Sequence, residues 1–316
     1  MTWLKYAVDE DNSLFEIADV PSGKTKLFCP YCAGQLVAKK GKVKQHHFAH
    51  KNDTCYPVAT KKELPTLPLY DNFNIQLSGT ALQLLQKLWQ SFGLHDWGIP
   101  HLPELKPLIK AKVLQKNVYR QPPAYEFTAL GKIPVGALPL HEFNQVQEPL
   151  LLAKLAEFSR QVELAKVIKS LNLAERLVDL RLYRAQFASI LLCRLYYLQI
   201  EADGLVLHKI GVTKRSLTQR IPEIERDLRS HYQNIKVSVL GLWSHRGNVE
   251  LYFKHRYKPF NYRIGSLTEY YLFGDNSIAD AVLDDLNKMQ QKMLNSEEKT
   301  VLPKLVYVKT KRLIYS

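Results

Sequence analysis

Nowhere does this chain run apolar for about eighteen residues, the length that a membrane-spanning helix needs. A secretory leader is missing as well, because residues 1–10 have neither a cationic opening nor an apolar block, so the cytoplasm is the expected compartment. Cysteine is scarce. Of four, three lie near histidines and the fourth, Cys193, sits in an apolar run, which speaks against a disulfide framework and for metal binding in a reducing compartment. No internal repeat or low-complexity tract is visible, which excludes a solenoid. What remains, at 316 residues and 46% hydrophobic content, is a soluble globular chain of about two or three domains.

Acid is also in short supply, with 30 Asp and Glu against 44 Lys and Arg and a net charge of +14. The excess is local. Residues 20–64 hold nine lysines against Asp53 and Glu63, and residues 205–263 hold twelve Lys and Arg against four acids, so the rest of the chain is nearly balanced. Two segregated basic stretches suit a polyanion, with DNA the expected partner, because phosphate contacts supply most non-specific affinity through counterion release. An anionic membrane would attract the same charge, but no basic amphipathic helix with a wide apolar face accompanies it.

The first basic stretch contains Cys29-Pro30-Tyr31-Cys32, then His46-His47-Phe48-Ala49-His50, then Cys55. Two cysteines two residues apart on a tight knuckle can converge on one tetrahedral Zn²⁺, and His47 and His50 can close the set from one turn of helix. His46 or Cys55 could replace one of these ligands. The run from Tyr6-Ala7-Val8, through a strand near residues 14–17, to Cys29-x-x-Cys32 and His47-Phe48-Ala49-His50 resembles the zinc-finger-like amino-terminal region of competence protein CoiA-type proteins. The resemblance implies a DNA-linked role in a bacterial protein and a structural zinc with four protein ligands.

In the second stretch, residues 195–200 read as a strand, Asp203-Gly204 as a hairpin turn, and residues 206–212 as the returning strand. Leu217, Ile221, Ile224 and Leu228 recur at helical spacing, residues 235–243 read as a third strand, and residues 249–257 as a helix carrying Glu250. This order resembles the GIY-YIG nuclease family. Leu195-Tyr196 stands for the Ile-Tyr of its first motif, Lys209-Ile210-Gly211 for Tyr-Ile-Gly, Arg220 for its arginine, Glu250 for its metal-binding glutamate, and Pro259-Phe260-Asn261 for its Pro-aromatic-Asn segment. Arg194 replaces the leading glycine and Lys209 the second tyrosine, the latter a change that some branches share. The resemblance implies a three-stranded antiparallel sheet with flanking helices, and catalytic roles for Tyr196, Lys209, Arg220, Glu250 and Asn261.

Phosphodiester hydrolysis gives each residue a task. Mg²⁺ or Mn²⁺ on Glu250 would stabilise the leaving side. Arg220 can fork onto phosphate oxygens. Tyr196, beside cationic Lys209 and Arg220, would have its phenol pKa lowered enough to receive a proton from water. Glu269 is a competing acid, read as structural, and His208 and His255 are candidate proton shuttles.

Between these regions lie a proline-punctuated linker over residues 65–70, an amphipathic helix over 80–92 and a second helix around 105–114. A Tyr125-x-x-Thr128-x-x-Gly131 strand end follows, in a pattern that resembles the final helix and wing of winged-helix domains; Lys110, Lys112 and Lys116 would then touch the DNA backbone. Residues 149–192 are leucine-rich and helical, able to form a hairpin or to join two copies. A last helix over 276–294 and a basic strand-like tail over 302–316 end the chain. The expected architecture is α+β and multidomain: a CoiA-like zinc module over 1–60, a winged-helix-like domain over 70–148, a helical connector over 149–192, and a GIY-YIG-like nuclease domain over 193–300 with a tail to 316. The expected function is metal-dependent DNA endonuclease in bacterial restriction, defence or competence. The alternative is a non-catalytic DNA-binding adaptor or regulator on a degenerate nuclease fold.

Overall fold

The computed structural model describes residues 3–41, 45–60, 64–95 and 97–302. The basic tail expected beyond Leu302 and lysines 42, 44, 61 and 62 of the first basic stretch lie outside them. The protein is α+β, with antiparallel sheets throughout.

The amino-terminal head is a five-stranded sheet in the order β2-β1-β3-β4-β5, formed by β1 (Tyr6–Val8), β2 (Leu14–Glu16), β3 (Gly23–Phe28), β4 (Gln35–Lys39) and β5 (His47–His50). A short helix, α1 (Tyr56–Thr60), follows. The head's small core gathers Leu4, Ala7, Ile17, Leu27, Leu36, Ala38, Phe48 and Leu64.

Next come α2 (Gly79–Leu88), capped by Ser78 on the Ala81 amide, and α3 (Lys106–Lys110). A two-stranded ribbon of β6 (Leu114–Asn117) and β7 (Ala124–Phe127) leads to α4 (Ala129–Lys132). The helix expected around 105–114 therefore stops early. Lys112 takes a left-handed φ of 58°, and the Val113 amide reaches back to Leu108 O at 3.0 Å, a Schellman-type closure that turns Leu114 into the ribbon.

Two long helices, α5 (Leu140–Val167) and α6 (Leu173–Leu192), pack antiparallel through Leu151, Leu155, Phe158, Tyr183 and Phe187. The leucine-rich segment thus forms a hairpin, and it leaves Leu164, Val167, Ile168 and Leu171 exposed at its turn. Helix α5 begins well before residue 149, and its first turns belong to another core. Phe143 stacks on Tyr252 at 4.2 Å between ring centroids, within an apolar cluster that also takes in Leu195, Tyr197 and Phe253.

The carboxy-terminal sheet has five strands, not three, in the order β10-β8-β9-β12-β11. The expected hairpin is β8 (Arg194–Ala202) and β9 (Leu205–Thr213). Asp203 and Gly204 both take positive φ, 46° and 86°, the geometry that a two-residue turn needs to follow strand twist. After α7 (Leu217–Leu228) comes β10 (Ile235–Ser244), and after it α8 (Val249–Arg256). The two extra strands, β11 (Asn261–Ile264) and β12 (Leu267–Tyr271), form a hairpin that docks beside β9, with Tyr270 opposite Lys209 and Tyr271 opposite His208. Strand alternation sends Tyr196, Leu198 and Ile200 towards Ile224 and Leu228 of α7, and Leu195 and Tyr197 towards Val249 and Phe253 of α8. Helices α9 (Asn276–Asn287) and α10 (Ser296–Val301) replace the single last helix expected over 276–294. Among the described residues no helix is long and apolar enough to cross a membrane.

Candidate functional site

In the head, the turn after β3 folds Cys29-Pro30-Tyr31-Cys32 into a knuckle. The Ala33 amide bonds to Cys29 O and the Cys29 amide to Gly34 O, both at 2.8 Å, while the Gly34 amide points at Cys32 Sγ at 3.3 Å. His50 arrives at the end of β5 and Cys55 just before α1. The potential ligand atoms of Cys29, Cys32, His50 and Cys55 all lie within 4.8 Å of one another. Cys29 Sγ is 3.9 Å from Cys55 Sγ, and Cys32 Sγ is 3.4 Å from His50 Nε2. Tetrahedral Zn²⁺, with bonds of about 2.3 Å to sulfur and about 2.0 Å to nitrogen, spaces its ligands at about these separations. A Cβ at Gly34 would stand 3.2 Å from Cys32 Sγ and 3.4 Å from the His50 ring, so the glycine keeps this space open. Three thiols and an imidazole of this geometry could hold zinc. Burial pushes the Cys29 thiol up to about 12 and lowers His50, so the imidazole is neutral, as a ligand must be.

His47, expected as a ligand, is elsewhere. Residues 47–50 form a strand and not a helical turn, and side chains three apart on a strand point to opposite faces. His47 instead lies against Trp3, 4.1 Å between ring centroids, and Cys55 supplies the fourth ligand position. His46 is exposed and outside the cluster. The knuckle also meets the body of the protein, because the Tyr31 hydroxyl donates to Asp179 Oδ1 on α6 at 2.7 Å.

In the carboxy-terminal sheet, Tyr196 pairs across the hairpin with Gly211. A Cβ at residue 211 would fall 2.3 Å from the tyrosine hydroxyl, so this glycine is what lets the ring lie across β9. The Tyr196 hydroxyl lies beside the Arg220 guanidinium of α7, close enough for the two to perturb each other. Arg220 Nη1 also donates to Glu223 Oε2 at 2.6 Å, and Glu223 takes two further bonds from Arg215 at 2.7 and 2.9 Å, which hold its carboxyl down at about 2. Lys209 is buried at 3% exposure, its Nζ 2.8 Å from Glu269 Oε2 and 4.7 Å from the centre of the Tyr270 ring. On α8, Glu250 Oε1 is 3.0 Å from Lys254 Nζ, and that ammonium lies 2.8 Å from Glu269 Oε1. Lys209, Arg220, Asp227 and Glu269 line an open cleft of ≈ 190 Å³.

Four of the five expected site residues therefore share one electrostatic cluster, linked as Tyr196 to Arg220 and Lys209 through Glu269 and Lys254 to Glu250. Asn261 does not join it. Its amide donates to Thr268 O at 2.7 Å and Tyr270 O at 3.1 Å, so it fastens β11 to the strand carrying Glu269. The expected lowering of the Tyr196 phenol is reversed, because burial raises it by more than Arg220 lowers it. Burial likewise raises Glu250, whereas the flanking Lys209 and Lys254 ammoniums hold Glu269 at about 2 despite its burial. His208 is buried against Tyr197 and Phe273, and His255 Nε2 donates to Ile133 O at 3.0 Å. Sequence reasoning missed Lys254 and Glu223. The Glu250-to-Lys254 spacing of one helical turn was a legible signal for the first, but its meeting with Glu269 depends on the β12 hairpin.

The profile of the family described as Competence protein CoiA, N-terminal domain, matches residues 14–56, a span that contains all four clustered ligands. No curated protein and no solved structure matches the chain.

Proposed function

We propose that this chain is a bacterial, cytoplasmic, metal-dependent DNA endonuclease of GIY-YIG type, tethered to its substrate by a zinc-stabilised head. The reading is carried by one observation: Tyr196, Lys209 and Arg220, from three separate elements, line up with Glu250 in a single charged cluster beside an open cleft. Each side chain has work suited to its surroundings. Arg220, released from Glu223 by an incoming phosphate, forks onto non-bridging oxygens, while Arg215 keeps the Glu223 carboxylate occupied. Tyr196 keeps its proton at neutral pH, so it orients a water or relays a proton instead of acting as a standing base. Lys209, held by Glu269 and Tyr270, adds fixed positive charge. Glu250 offers a largely buried carboxylate of the hard-oxygen kind that suits Mg²⁺ or Mn²⁺, and the bound ion would stabilise the departing oxygen. In the head, zinc would be structural, because four protein ligands leave no open position for water. Head and cleft, joined in one chain, would raise the effective concentration of DNA at the cutting site.

The test is incubation of the full chain with plasmid and with single-stranded DNA in Mg²⁺ or Mn²⁺, beside Tyr196→Phe and Glu250→Ala. We expect cutting that both substitutions abolish, with Glu250→Ala leaving DNA binding nearly unchanged. Salt-sensitive binding without any cutting would instead favour a DNA-binding adaptor, a reading that one feature supports: every carboxylate and guanidinium of the cluster already has a partner within the fold.

A further inference from the structure

Lys254 is the residue whose position the proposed chemistry does not explain. Its ammonium bridges carboxylates from two elements, Glu250 one turn earlier on α8 and Glu269 on β12, at 3.0 and 2.8 Å. The bridge is sheltered at one end and open at the other: the Glu250 side chain is 13% exposed, that of Lys254 29% and that of Glu269 39%. Both Glu269 oxygens are engaged, because the second one takes Lys209 at 2.8 Å. A cation between two acids from different parts of the fold is the arrangement a divalent ion would make there, executed with a tethered ammonium.

We propose that Lys254 is a built-in competitor for the divalent ion, holding Glu250 and Glu269 together until it is displaced. This rests on the endonuclease reading of Glu250. Mg²⁺ approaches a carboxylate oxygen to about 2.0–2.1 Å, so on the same edge of Glu250 it would stand within about 4 Å of the ammonium, and two cations at that range repel. One of them must leave. The lysine, on a flexible stem and partly open to solvent, is the one able to move, and a phosphodiester oxygen of the nucleic acid is an acceptor it can move to. Ion and nucleic acid would then bind cooperatively, each favouring the state in which Lys254 has left the acids.

The test reads ion binding and not cleavage. Full-length protein, first saturated with zinc so that its sulfur-rich cluster is filled, is titrated with Mn²⁺ and free Mn²⁺ is followed by electron paramagnetic resonance. Lys254→Gln and Lys254→Met should each bind Mn²⁺ about tenfold more tightly or better, the scale on which neighbours of a ligand alter metal affinity, while Lys254→Arg should resemble wild type. Adding Glu250→Gln to Lys254→Gln should erase the gain. Unchanged Mn²⁺ affinity in both neutral variants overturns the proposal, and so does a gain that survives Glu250→Gln. Tighter Mn²⁺ binding in a protein that never cuts DNA would sustain the role of Lys254 and defeat the endonuclease reading, whereas cutting without the Mn²⁺ gain would do the reverse.

Discussion

The head and the carboxy-terminal sheet both gather polar side chains, but they balance them differently. In the head, three thiols and an imidazole converge with no charged group among them, and the sheet around them has a small apolar core. In the carboxy-terminal cluster, Lys209, Lys254, Arg215 and Arg220 are paired with Glu250, Glu269 and Glu223, over cores built from Tyr197, Phe253 and Tyr271 on one face and Tyr196, Leu198 and Ile224 on the other. A set that needs an ion to be complete makes the ion part of the fold; a set that compensates itself makes an ion a ligand. Size sharpens the contrast, since a module of this length has little core to fall back on.

The largest expected effect breaks the two apart with one reagent. A strong chelator should unfold the head, where a structural zinc would contribute on the order of 10 kcal/mol, and leave the carboxy-terminal sheet folded. Limited proteolysis followed by mass spectrometry checks this: cuts should concentrate before about residue 55, and a protease-resistant head in chelator would refute the ligand assignment. Removing Cys55 as Cys55→Ser should imitate the chelator.

The opposite break comes from Gly211→Ala. An added methyl would stand 2.3 Å from the Tyr196 hydroxyl and 2.5 Å from its ring carbon, inside a packed sheet. Overpacking of this kind costs about 3 kcal/mol, and here it should lower the denaturation midpoint of the sheet while zinc stoichiometry stays at wild type. Pairing it with Tyr196→Phe, which removes the nearer atom, should recover part of the loss.

How far the two regions could be read in the sequence differs for physical reasons. A Cys-x-x-Cys knuckle is local, so Cys29, Cys32 and His50 were legible from spacing as members of the cluster, and the error at His47 came from assigning a helix to a strand, which inverts the face of every odd neighbour. The β8–β9 hairpin was equally legible, because Asp203-Gly204 encodes its turn and alternation encodes its faces. The β11–β12 hairpin was not. Glu269 carries no local signal that its strand will meet β9, and only that docking brings it between Lys209 and Lys254. The long helices were seen, but not that α5 begins at Leu140 and lends Phe143 to the carboxy-terminal core, a contact more than a hundred residues away in sequence.

Acid should separate the regions by a different observable. Glu269 is held at about 2 against an ordinary 4.5, so its contribution is fully present above about pH 4.5 and is lost as pH falls towards 2. Glu250 is raised, so its protonation on the way down works the other way and favours the fold. In an acid titration followed by tyrosine fluorescence, Glu269→Gln should flatten the pH dependence of the sheet between about 4.5 and about 2; an unchanged slope would mean that the two lysines do not bind the folded carboxylate as described. The head, by contrast, should report acid through release of zinc, because its ligands must lose protons to bind.

The smallest effect is the most discriminating for the head. If His47 were a ligand, His47→Ala would empty the site as Cys55→Ser does. On the strand face where it lies, its loss removes the contact with the Trp3 ring, worth about 0.5–1.5 kcal/mol, and the Nδ1 hydrogen bond to Gln45 O at 2.8 Å, and zinc should still bind one ion per chain. Stoichiometry measured by a chromogenic chelator after denaturation decides between them. One zinc in His47→Ala and none in Cys55→Ser would fix the ligand set as Cys29, Cys32, His50 and Cys55; the reverse pattern would mean that β5 turns over in the metal-bound protein and that His47, not Cys55, faces the knuckle.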